Sequence, residues 1–151
     1  MNHLKSKTKL LLALEWAGAA LLCLVFLAAS IHKVADPDAF SKVILGYQVV
    51  PAAFVGWVAL FMPWVEISMG LAILIPKARN AALLMAAGLL ILFASLTGWN
   101  LLHGVEVPCG CFSNAGGAAT WWSVARNVML ASVGMLAIYG RARRMAQKSI
   151  L

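Results

Sequence analysis

Four long apolar stretches alternate with short polar connections along this chain. They run over 10–31, 52–75, 81–102 and 121–139. Each is close to the ~20 residues that a helix needs to cross the hydrocarbon core of a bilayer. A helix is the spanning form that satisfies its own backbone, and an unpaired amide in lipid costs several kcal/mol. The short alternating segments of a membrane β-barrel are absent from the sequence. Polar punctuation separates the stretches: "DPDAFSKVILGYQVVP", then "PKARN", then "HGVEVPCGCFSN". No internal repeat stands out. The pattern predicts an all-α membrane protein, a single four-transmembrane-helix bundle over 1–151 with one developed polar loop at 103–120.

Composition sharpens this picture. Of 151 residues, 63% are hydrophobic and only 11% charged, whereas a soluble domain is about a quarter charged. The net charge of +7 therefore reads as membrane orientation and headgroup contact, with no nucleic acid implied. Lys5, Lys7 and Lys9 precede the first span, Lys77 and Arg79 lie between the second and third, and Arg141, Arg143, Arg144 and Lys148 follow the fourth. The other side carries Lys33, Lys42 and Arg126, with Asp36, Asp38 and Glu106 nearby. This asymmetry puts both termini in the cytoplasm and the 103–120 loop on the periplasmic or extracytoplasmic side. Trp121 and Trp122 fit an aromatic belt there. The run ending "LAAS" has the look of a secretory signal cleaved after Ser30, but it is long and Glu15 interrupts it. The first span is expected to be retained.

The polar loop holds Cys109 and Cys111, one residue apart. Outside the cytosol, disulfides persist. A Cys-x-Cys ring is tighter than Cys-x-x-Cys, and strain makes such a bond easier to reduce. Gly110 removes a side chain where the backbone bends most, and Pro108 stiffens the approach. A labile, electron-passing disulfide is the favoured reading. A structural staple and a copper or zinc site with His32 or His103 remain open. A nearby cation would favour the thiolate, and Arg126, His103, His32 and Lys33 are the candidates. Arg126 as a snorkelling interface residue and His103 as a solvated loop residue are the bland alternatives. Cys23, inside the first span, reads as core filler.

Glu66, in "MPWVEISMG", stands near the middle of the second span. An intramembrane acid faces the bundle interior and marks either a pathway or an interhelical bond. A protonated, hydrogen-bonded carboxyl is expected, which either transfers a proton or contacts a bound ligand, or else makes an interhelical hydrogen bond, for example to a Ser, Thr or Asn of the third span. With Asn127 it is a candidate lining for a quinone or a proton route. Glu15 is expected to reach a lysine or water, and Asn100 to bond the loop backbone.

Several segments carry a resemblance. "FLAASIHKVADPDAF", "YQVVP", "MPWVEISMGLAIL", "NLLHGVEVPCGCFS" and "ARNVML" resemble successive conserved stretches of the methylamine utilisation protein MauE family, within the DoxX-like membrane proteins. Ser113 departs from the glycine usual there. The resemblance implies a multi-pass protein of the bacterial inner membrane that handles thiols and disulfides. In that family the role is linked to maturation of a disulfide-rich dehydrogenase subunit beside a thioredoxin-like protein. Taken with the residues, the expectation is a redox-active Cys109–Cys111 pair, with Arg126 and His103 stabilising the thiolate. The layout is also similar to DsbB and vitamin K epoxide reductase, which exchange electrons with a quinone. The alternative is a non-catalytic subunit of a larger membrane complex.

Overall fold

The computed structural model describes the backbone of residues 2–105, 107 and 118–149, and the side chains of 9, 11–105, 107 and 118–146. Five helices follow in order: α1 (Asn2–Ala35), α2 (Pro37–Tyr47), α3 (Ala52–Leu74), α4 (Arg79–Leu102) and α5 (Trp121–Ser149). Four of them, α1, α3, α4 and α5, are long and apolar enough to cross a membrane. The all-helical four-span architecture is thus as the apolar pattern predicts. The outer two helices run past the expected bounds. α1 continues four residues beyond position 31, and α5 continues to Ser149, because Lys, Arg and Gln are good helix formers once a helix is under way.

The fifth helix, α2, lies inside what reads in the sequence as a plain connection. Its first turn is built by Asp36, whose Oδ1 accepts from Ala39 N at 2.9 Å, and by Pro37, whose fixed φ suits the first helical position. It ends at Gln48, which adopts a left-handed φ of 55°. Phe40, Val43 and Ile44 form its buried face against Val55 and Ala59 of α3.

The spans form a ring in which α1 packs on α3 and α5, and α4 packs on α5 and α3. Leu22 and Phe26 of α1, Ile73 of α3, Leu83 of α4 and Ala131 of α5 meet in one core. Small residues set the spacing, as lipid supplies no hydrophobic drive between helices. A Cβ on Gly134 would stand 3.1 Å from Leu22 Cδ1, and one on Gly18 would stand 3.3 Å from Val133 Cγ1. The outer surface is apolar: Leu24, Phe61, Leu92 and Leu136 are exposed. So are all six tryptophans, Trp16, Trp57, Trp64, Trp99, Trp121 and Trp122. Such a surface faces acyl chains rather than water.

The termini share one end of the bundle. There Glu15 is buried and takes Arg79 Nη1 at 2.8 Å and Arg144 Nη2 at 2.5 Å. The lysine or water expected for Glu15 is replaced by arginines from α4 and α5, which reach it because α1, α4 and α5 converge there.

A buried ion pair beside the cysteine-loop end

The loop-bearing half of the bundle contains a second charge cluster. Lys33 Nζ lies 2.5 Å from Glu66 Oε1, and both side chains are almost fully buried. Ser30 Oγ stands 3.2 Å from Glu66 Oε2 and 2.7 Å from Phe26 O. Its one proton serves one acceptor at a time. Glu66 therefore bonds α1 and a cation, not a Ser, Thr or Asn of the third span as expected. Ser30, Lys33 and Glu66 meet because α1 and α3 cross with their small residues in contact: a Cβ on Gly70 would lie 3.5 Å from Cys23 O. Lys33 also sits 5.0 Å above the Phe40 ring and 5.8 Å from that of Phe93. Its charge is held inside the bundle by Glu66 and two aromatic faces. The sequence expectation grouped it with His32; His32, the residue before it, is exposed.

Two cavities flank the pair. One, of about 30 Å³, is lined by Lys33, Glu66, Phe93 and Asn127. That is room for one water. The other, of about 160 Å³, lies under α2 between Lys33, Phe40, Tyr47, Met62 and Phe93. A cavity near that size accepts a single aromatic ring. Tyr47 Oη, at its edge, is 3.1 Å from Thr97 Oγ1 and ties α2 to α4. Asn127 is buried and Arg126, one residue earlier on α5, is half-buried.

Cys109 and Cys111 lie outside the described residues, as does Glu106. What is described is the base of their loop. Ala119 N donates to Val107 O at 2.8 Å, and Val107 is buried. Val105 N donates to the main-chain carbonyl of Asn100 at 3.0 Å. The Asn100 side-chain Nδ2 donates back to Leu96 O at 2.9 Å. Gly104 follows α4 with φ +68°, a conformation that favours glycine. His103 is exposed, with Nδ1 2.8 Å from Trp99 O and its ring 4.3 Å from the indole.

Sequence reasoning found Glu66 but missed that Lys33 is its partner, and missed Phe40 and Tyr47 as cavity walls. One signal was present. Lys33 sits on the side of the membrane that the charge asymmetry leaves poor in cations, which marks it as held by something.

A four-span helical bundle with a charged pair buried between its first and second spans, and a cysteine-bearing connection at one end, defines a small polytopic membrane protein. The family profile described as methylamine utilisation protein MauE matches residues 10–140, and the chain belongs to that family. It is 31% identical over 122 residues to a methylamine utilization protein MauE of Paracoccus denitrificans, covering 80% of this chain and 66% of the relative. It is 34% identical over 91 residues to one of Methylophilus methylotrophus, covering 60% and 48%. With one of Methylorubrum extorquens the identity is 30% over 125 residues, covering 82% and 65%. The chain thus spans between about half and two thirds of these relatives. No solved structure matches it significantly.

Proposed function

We propose that this membrane protein exchanges thiols and disulfides through Cys109 and Cys111 with a thioredoxin-like partner, in a methylamine utilisation role like that in its relatives' names. The observation that carries the reading is a two-cysteine segment whose base is closed by the Ala119–Val107 hydrogen bond at the tip of a bundle. Closure of the base holds the ends of the segment together at the tip of the bundle. A thiolate of the pair attacks the partner's disulfide, and one partner sulfur leaves as thiolate. The second cysteine then attacks the mixed disulfide. The pair ends as a disulfide and the partner as a dithiol, and the reverse sequence runs the other way. Arg126 and His103 favour the thiolate in this scheme. The termini lie in the cytoplasm of a bacterial inner-membrane protein, and the loop faces outwards.

A quinone that re-oxidises or reduces the pair fits the larger cavity beside Lys33. Glu66 and Asn127 border the water-sized one, which suits a proton route.

The test is Cys109→Ser in a membrane preparation resolved without reductant. The expected result is a mixed disulfide on Cys111 that reductant releases and that Cys111→Ser abolishes. If neither single variant traps an adduct, and the double variant supports growth on methylamine like the unaltered protein, the reading is wrong.

A further inference from the structure

Among the described residues, the charges at the terminal end of the bundle do not balance. Three guanidinium groups, Arg79, Arg141 and Arg144, surround the single carboxylate of Glu15. Glu15 and Arg79 are 1% exposed and Arg141 is 9% exposed. The acceptors are used up in order. Arg79 is satisfied: Nη1 on Glu15 Oε1 at 2.8 Å, Nε on Ile73 O at 2.9 Å, Nη2 on Leu74 O at 3.3 Å. Its guanidinium also stacks 3.7 Å from the Trp16 ring. Arg144 puts Nε and Nη2 on Glu15 Oε2 at 3.2 and 2.5 Å. Arg141 comes last. Its Nη2 reaches Pro76 O at 2.5 Å. Its Nη1 stands 3.7 Å from Glu15 Oε1, beyond hydrogen-bond range. Its Nε and Nη1 are buried with no hydrogen-bond acceptor among the described residues.

A buried guanidinium with two orphaned donors is costly. The chain has no side-chain carboxylate left to supply. Its five acids are Glu15, Asp36, Asp38, Glu66 and Glu106. Asp36 caps α2 and Asp38 sits in its first turn, at the other end of the bundle. Glu66 is held by Lys33, and Glu106 lies in the connection between α4 and α5. An anion from outside the chain fits these two donors. Nε and one Nη of an arginine form a fork that matches two oxygens of a phosphate. The place matches too: these arginines lie where helices meet the headgroup layer, and basic pockets between spans bind lipid phosphates there.

We propose that Arg141, backed by Arg144 and Arg79, binds a phosphate group, carried by an anionic phospholipid or free in solution. Arg141 Nε and Nη1 donate to two of its oxygens, and Glu15 holds the other two guanidiniums in place. The site neutralises the excess positive charge where α1, α4 and α5 converge.

The test uses the full chain in detergent micelles. The shift in thermal unfolding midpoint is read against added phosphatidylglycerol, phosphatidylcholine or inorganic phosphate. The expected result is a saturable rise with phosphatidylglycerol and none with phosphatidylcholine, with about tenfold weaker binding in Arg141→Gln. A rise of equal size with inorganic phosphate alone assigns the site to the free ion. If Arg141→Gln does not fold, Arg141→Lys keeps the charge but loses the fork, and its expected binding is several-fold weaker. Equal responses to all three additives, or a folded Arg141 variant that responds like the unaltered protein, overturns the proposal.

Discussion

Lys33 and Glu66 illustrate how a single residue can be costly alone and tolerable in company. Each is out of water, and each is the other's buried partner. Removing one leaves its partner stranded. Glu66→Ala is expected to lower stability by about 3–5 kcal/mol, read from denaturant unfolding of the purified protein. Replacing both with Met should recover most of that loss, since an apolar pair of similar volume needs no partner. A loss under about 1 kcal/mol for Glu66→Ala would mean that Ser30 and water carry the carboxylate instead. From the sequence, Glu66 could be recognised as an acid in an apolar run. Its partner could not, because pairing depends on the rotation of α1 against α3. Small residues such as Gly70 set that rotation, and nothing in a linear string shows which faces meet.

At the scale of elements, α2 shows which signals a search for spans passes over. Its Asp-Pro start and its apolar residues at 40, 43, 44 and 47 follow helical spacing. An 11-residue helix is nevertheless too short to cross a bilayer, so the stretch reads as a connection. Once folded, it lies on α3 and roofs the larger cavity. The Tyr47–Thr97 bond is its polar tether to α4. Tyr47→Phe removes one neutral hydrogen bond, and the expected cost is about 0.5–1.5 kcal/mol. The local effect should be larger than the global one: hydrogen exchange of α2 amides should rise while that of α4 stays unchanged. If exchange rises equally in both helices, α2 is not an independent flap on the bundle.

For the molecule as a whole, the sequence carries the architecture and little of the site. Bilayer thickness sets helix length, so four apolar runs suffice to count the spans. The basic residues at 77–79 and 141–148 stand out as an orientation signal, yet their gathering around Glu15 needs α1, α4 and α5 to be placed in a ring. The placing of every indole on the outside has a practical result of its own. Intrinsic fluorescence of this protein reports its solvent shell rather than its packing. Unfolding followed by emission would report the indoles leaving the acyl layer rather than the core coming apart. Lipids brominated along their chains should quench the emission strongly. Trp64, midway along α3, should respond most to bromine placed deep in the acyl region, and Trp64→Phe should remove most of that deep quenching. Equal quenching by shallow and deep bromines in both proteins would put α3 at a different depth. Six natural beacons on the hull thus make the protein a ready-made gauge of its own immersion.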